Sequence, residues 1–383
     1  MTTRRHFLAA GTGTALAFCA PRVLFAQAAT ERRFVFVIQR GAADGLNTVV
    51  PYADPAYAPL RGALAIDAAA ARKLDGTFAL HPALATLGQL YERGEASFVH
   101  AVASPYRDRS HFDAQNVLES GGTQPYQLKD GWMNRLVGLL PRRPKEAIAF
   151  APTVPLALRG PADVTSYAPS ALPAASDDLL LRVQQLYAAD PQLHALWSAA
   201  MDARGMAGGA DGRNRQDPAE LGRTAAAFLA ASDGPRLAMI ETGGWDTHSA
   251  QAGRLNAQLG ALDRLLDALH QGMGDAWRQT VVLVATEFGR TAAANGTGGT
   301  DHGTASAALL AGGALQGGRV VADWPGLAPS ALYQGRDLQP TLGLDALIAQ
   351  VVGETFGIER ERVSRALFPG SATTRSLPQF VRS

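Results

Sequence analysis

Residues 280–303, "TVVLVATEFGRTAAANGTGGTDHG", announce the architecture of this chain. The first part, "TVVLVATEF" (280–288), is a continuous apolar run rich in β-formers, which predicts a strand buried on both faces. The character then changes at once. Glu287 and Arg290 follow the run, glycines at five positions between 289 and 303 open the chain into a loop, and Asp301-His302 close it. A solvated loop needs none of these residues in particular, whereas carboxylates and imidazoles together are the donors of a metal site.

Working outward, "RFVFVI" (33–38), "SFVHAVA" (97–103) and "RLAMIET" (236–242) read as further buried strands. Helical spacing falls between them, over 83–94, over 111–120 with Ser110 at the N-cap and Gly121 closing, and over 255–271. Strands alternating with helices predict an α/β fold: a largely parallel central sheet covered by helices on both faces. The predicted unit is one domain, 29–383, with a less regular helical insertion around 141–235. Within it, 176–203 is helical, capped by Ser176 and broken at Pro191, and 205–218 reads as a flexible connection.

In such sheets ligands bind beyond the carboxyl ends of the strands. Each strand here is followed by a polar cluster: Asp44 in "GAADG", Ser110 and His111 in "RDRSHFDAQ", Asp246 and His248 in "GGWDTH", then Glu287, Arg290, Asp301 and His302. The expected metal ligands are Asp44, Asp246, His248, Glu287, Asp301 and His302, holding a divalent ion such as zinc, manganese or calcium. A pair of such ions would clamp the attacking and leaving oxygens of a phosphate or sulfate ester. Ser110, at a helix N-terminus that favours a developing alkoxide, is the expected nucleophile, and Arg290 the fork for ester oxygens.

Each residue also has a plain structural use. Asp44 fits an Asx-turn, Ser110 an N-cap, Asp246 a cap on the next helix, and Glu287–Arg290 a local ion pair. His81, His100, His194 and His270 lie outside these loops and read as structural or surface. No G-x-S-x-G elbow, phosphate loop or dinucleotide fingerprint occurs between residues 29 and 383, which demotes serine-hydrolase, nucleotide and NAD chemistry.

The N-terminal stretch "MTTRRHFLAAGTGTALAFCAPRVLFAQA" has a basic start, a short Gly/Ala-rich apolar part and an Ala26-Gln27-Ala28 site. That pattern predicts a cleaved export signal, residues 1–28, too short to span a bilayer. Arg4 and Arg5, followed by Phe7 and Leu8, predict the twin-arginine pathway and a periplasmic or secreted protein with the export machinery as a partner. Removal after Ala28 lowers Lys+Arg from 35 to 32 against 34 acids, a balance that argues against nucleic acid or an anionic membrane surface. The only cysteine, Cys19, leaves too, so a metal site must use imidazole and carboxylate.

Together "QRGAADGLNTVVPY", "RSHFDAQ", "GGWDTHSAQ" and "EFGRTAAANGTGGTDHG", with "RDLQPTLGLDALIAQVVGETFGI" (336–358) at the end, resemble the bacterial family called domain of unknown function 1501. The resemblance implies an alkaline-phosphatase-like sheet with two divalent metals at the strand ends. It matches Asp44 to a first-strand metal carboxylate, Ser110 to a nucleophile at a helix start, and Asp246 with His248 to a metal pair. Relatives in that superfamily end the later strand in Asp-His-Gly; Glu287 and Phe288 stand there here. The expected function is therefore an exported metal-dependent hydrolase acting on an anionic small or polymeric ester. The alternative is a metal-binding structural or assembly protein that keeps the fold without turnover.

Overall fold

A computed structural model describes residues 31–168, 177–206, 217–371 and 377–382. The expected signal, with Arg4, Arg5 and Cys19, lies outside the described residues, as do Ser176 and 207–216.

Nine strands form the central sheet: β1 (Arg33–Gln39), β2 (Ala96–Ala103), β3 (Ala147–Phe150), β4 (Thr165–Ser166), β5 (Leu237–Thr242), β6 (Thr280–Thr286), β7 (Ser306–Ala311), β8 (Arg319–Val321) and β9 (Leu342–Gly343). Their order is β8-β2-β7-β6-β1-β5-β3-β4, with β9 also against β2. Every pairing is parallel except those of β7, which runs antiparallel to both β2 and β6. The sheet is thus largely parallel, as the apolar runs predict. The stretch 141–235 contributes β3 and β4 to the sheet edge.

Side chains of β1 alternate between two cores. Phe34, Phe36 and Ile38 face one, where Trp132 packs edge-on with its ring 5.3 Å from Phe36. Helices α2 (Trp132–Leu139), α5 (Leu344–Phe356) and α6 (Arg360–Leu367) cover that side. Val35 and Val37 face the other core, closed by helices α3 (Pro218–Ala230) and α4 (Gln251–Met273). In α4 the residues Leu255, Leu259, Leu262, Leu266 and Leu269 recur at helical spacing and are all buried against the sheet. Helix α1 (His111–Ser120) projects instead from the sheet's carboxyl edge and ends on Gly121 in the left-handed conformation. Among the described residues no helix is long and apolar enough to cross a membrane.

His100 lies on β2 against the rings of Phe78 and Trp324, with centroids 5.3 and 5.0 Å away. Its Nε2 bonds the Val49 carbonyl at 2.8 Å and its Nδ1 accepts from the Ala101 amide at 2.8 Å, so the ring is held neutral. Burial pushes its pKa down to about 4. The unfolded chain protonates this group first, near pH 6.5. Stability is therefore full above that value and falls as pH drops toward 4, by on the order of 2–3 kcal/mol. Denaturant titrations at pH 7 and pH 4.5 on wild type and His100→Gln check this. Equal acid sensitivity of the two proteins would show that other groups carry it.

Candidate metal centre

The parallel strands β1, β2, β5 and β6 end at one edge of the sheet, and the loops that follow them meet there. Strand β7 is antiparallel, so it begins where its neighbours end, and Asp301-His302 reach that edge just before it starts. The segment after β6 folds back as a narrow hairpin: Thr291 N donates to Asp301 O at 2.9 Å and Gly303 N to Gly289 O at 2.8 Å. A Cβ on Gly303 would stand 2.4 Å from the Arg290 carbonyl, too close for any side chain. Gly41, at φ 120°, similarly lets the first loop pass 2.6 Å, measured from where a Cβ would be, from the Asp246 amide.

Three imidazoles converge at this edge. His302 Nε2 lies 2.9 Å from His111 Nε2 and 3.0 Å from His248 Nε2. Asp246 completes the group, with Oδ1 2.9 Å from His248 Nε2 and 3.4 Å from His302 Nε2, and Oδ2 3.6 Å from His111 Nε2. His111, Asp246 and His302 each offer a ligand atom within 4.8 Å of the others.

The other ring nitrogen of each histidine is tied to an acceptor. His111 Nδ1 bonds Glu287 Oε1 at 2.8 Å, His248 Nδ1 bonds Asp301 Oδ1 at 3.1 Å, and His302 Nδ1 bonds the Arg109 carbonyl at 3.0 Å. Carboxylates and carbonyls only accept, so Nδ1 carries the proton and the Nε2 lone pairs face one point. Lone pairs converging in this way repel unless a cation or a proton lies among them. The donor set therefore fits a divalent ion of the zinc type, with each imidazole oriented by a partner behind it.

Charge is arranged to suit. Burial and the neighbouring His111 hold the His302 pKa below its ordinary value, keeping the ring neutral. Burial works against ionised Asp246, but the bond and charge of Arg290, with His248 and His111, outweigh it and leave this carboxyl below the usual range. Glu287 is fully buried; the bonds from His111, Gln115 and the Gly41 amide overcome that burial and hold it ionised. Asp301 is lowered by His248 and Asn295. Phe288 stacks on His111 with centroids 4.9 Å apart and walls one side of the cluster.

Of the expected ligands, then, Asp246 and His302 join His111 in the set whose atoms lie close together, while His248 touches that set from the side, its Nε2 3.0 Å from His302 Nε2 and 2.9 Å from Asp246 Oδ1. Glu287 does not: its Oε1 is taken by Gly41 N, Gln115 and His111, which makes it the residue that orients His111. Asp301 stands in the same relation to His248. Asp44 lies elsewhere. Its Oδ1 caps Asn47 N at 3.2 Å, and its Oδ2 is shared by Arg61 and Gln251 in a buried ion pair. Ser110 occupies the first cap of α1 without making a cap bond, and no hydrogen bond among the described residues joins its hydroxyl to the imidazoles. Arg290 is buried; its Nη1 holds Asp246 Oδ1 at 2.8 Å, its Nε bonds Thr300 Oγ1 at 3.2 Å, and its Nη2 has no partner among the described residues.

The residue without an assigned role in the sequence was His111. It stands next to Ser110 in a motif already singled out, and a histidine opening a helix at a strand end was the available signal. Arg61, Gln251 and Thr300 carried no such signal. Removing the carboxylate behind His111 should loosen the ion without deleting a ligand, so Glu287→Gln is expected to weaken zinc binding about 10- to 100-fold. Calorimetric titration reads this, and an unchanged affinity would deny Glu287 its orienting role.

The site and fold together define an α/β protein with a cluster of histidines and carboxylates at the carboxyl edge of its sheet. The chain belongs to the family described as "Protein of unknown function (DUF1501)", which it matches over residues 31–367. No curated protein matches the sequence. Solved structures to which it is similar include the C-terminal periplasmic domain of EcEptC from Escherichia coli in complex with zinc, at 10% identity and TM-score 0.34, covering 73% of each chain. A candidate sulfatase from Bacteroides thetaiotaomicron is 11% identical at TM-score 0.42, covering 90% of this chain and 76% of that one. BT1596, a 2-O GAG sulfatase, is 10% identical at TM-score 0.39, covering 76% and 66%.

Proposed function

We propose that the chain is an exported, metal-dependent hydrolase of phosphate or sulfate esters. The observation that carries this reading is the convergence of His111, His248 and His302 Nε2 with Asp246, each imidazole already held by a partner at Nδ1. His111, Asp246 and His302 would hold the ion, with His248 beside them. When bound, it would supply positive charge to an ester oxygen and lower the pKa of an oxygen nucleophile.

The chain's own residues do the rest. Glu287, Asp301 and the Arg109 carbonyl keep a proton on each Nδ1 and so keep the Nε2 atoms available. Arg290 sets a fixed positive charge beside Asp246, which favours an anionic substrate. Ser110, half-buried at the helix N-terminus next to His111, is the proposed nucleophile. Phe288 keeps water from the flank of His111.

The test is an assay of the mature chain on aryl phosphates and aryl sulfates, with zinc, manganese or calcium, with and without chelator. Ion-dependent turnover lost on Ser110→Ala is expected. A protein that binds the ion tightly but turns over no ester would favour the other reading, a metal-binding structural or assembly protein. The observation on that side is the diversion of Asp44 into an ion pair.

Export is part of the proposal. Replacing Arg4 and Arg5 by Lys is expected to leave precursor in the cytoplasm, because the twin-arginine machinery reads that pair. Fractionation of cells expressing each form decides it; normal export of the double variant would remove the pathway from the proposal.

A further inference from the structure

We propose that the centre holds a single ion per chain, and that the guanidinium of Arg290, not another metal, is the second positive charge on Asp246. The inference rests on the metal reading above and concerns how many ions the crevice takes. A second ion would need carboxylates facing the first; the chain has placed the two other buried carboxylates of the site loops, Asp44 and Glu287, elsewhere, and the exposed Asp301 spends its Oδ1 on His248 Nδ1 and Asn295.

Asp44 is 1% exposed, and its Oδ2 is shared by Arg61 and Gln251. Arg61 is fully buried and satisfied on every nitrogen: Nε donates to Asn47 Oδ1 at 3.1 Å, Nη1 to the carbonyls of Thr291 and Ala292 at 3.1 and 3.3 Å, and Nη2 to Asp44. A buried guanidinium engaged at all three nitrogens is a permanent counter-charge, and no metal displaces it from Asp44 without orphaning a buried donor. Glu287 is likewise consumed, by Gly41 N, Gln115, Thr286 and His111.

A polar chain then leads from this pair to the site. Gln251 donates to Asp44 and accepts from Thr247 Oγ1 at 2.9 Å and from Thr300 Oγ1, and Thr300 Oγ1 in turn accepts from Arg290 Nε at 3.2 Å. Arg290 Nη1 ends the chain on Asp246 Oδ1 at 2.8 Å. Asp246 is thereby shared between a guanidinium fixed from behind and the three imidazoles in front. One carboxylate would thus serve two cations, only one of them a metal.

The experiment is native mass spectrometry with elemental analysis on the mature chain loaded with zinc, for wild type, Asp44→Asn and Arg290→Gln. One zinc is expected in wild type and in Asp44→Asn. Arg290→Gln is expected to bind its zinc more tightly than wild type, because the carboxylate no longer serves a competing charge. Two zinc ions in wild type, falling to one in Asp44→Asn, would overturn the proposal, and so would weaker zinc binding by Arg290→Gln. No zinc in wild type is a different failure, that of the metal reading itself. If Asp44→Asn does not fold, the wild-type stoichiometry still decides.

Discussion

His302→Ala should purify with little or no metal, while the wild-type protein loaded with zinc carries it. Of the three imidazoles His302 is the central one, with its Nε2 at 2.9 and 3.0 Å from those of His111 and His248. Removing it deletes a ligand and the group that spaces the other two. An ion bound only by the folded state stabilises it by mass action, and free zinc at a hundredfold excess over Kd contributes about 2.7 kcal/mol. Chelator should therefore lower the wild-type melting temperature by several degrees and leave His302→Ala nearly unmoved. The check is a melting series on both proteins with and without chelator, alongside elemental analysis. If wild type takes up no zinc, manganese or calcium and melts identically with chelator, the imidazoles form a hydrogen-bonded brace and nothing more.

The second large effect lies one layer deeper. Arg61→Met leaves Asp44 charged and 1% exposed without its counter-ion. Breaking a buried pair from one side costs about 3–5 kcal/mol, far more than the pair contributes against an apolar replacement. The companion variant Arg61→Met/Asp44→Leu removes both charges and should recover part of that loss, and this non-additivity is the signature of the pair. Urea titrations of the wild type, the two single variants and the double variant measure it. Additive losses would mean that Asp44 and Arg61 act independently, which would also weaken the argument for a single ion. The loss at Arg61 should reach the site as well, because Asp44 steadies Gln251, and Gln251 steadies Thr300 and Arg290.

The two effects separate what a carboxylate does at a metal from what it does behind one. Asp246 faces the imidazoles and Arg290; Glu287 and Asp301 act on the imidazoles; Asp44 acts on a guanidinium. All four are acids following a buried strand, and nothing in their immediate neighbours along the chain distinguishes them. Their roles are decided by which cationic or donor group the opposite loop brings up.

Much of this protein was determined by sequence alone. The apolar runs at 33–38, 97–103, 236–242 and 280–288 are strands because β-rich segments without polar alternation can be satisfied only inside a covered sheet. Their parallel course puts the polar residues that follow them at one edge, so the crevice was legible before any geometry. The motifs that resemble the family were legible for the same reason, being local. Tertiary structure decided the rest. Strand 306–311, apolar but alanine-rich, gave no sign of running antiparallel, yet that reversal is what carries Asp301 and His302 to the edge. His111 became part of the cluster, and Asp44 left it, through partners 191 and 17 residues away in the chain. A side chain's donor type is written in its own identity. The group it must satisfy is chosen by packing, and packing here joins residues that the sequence keeps far apart.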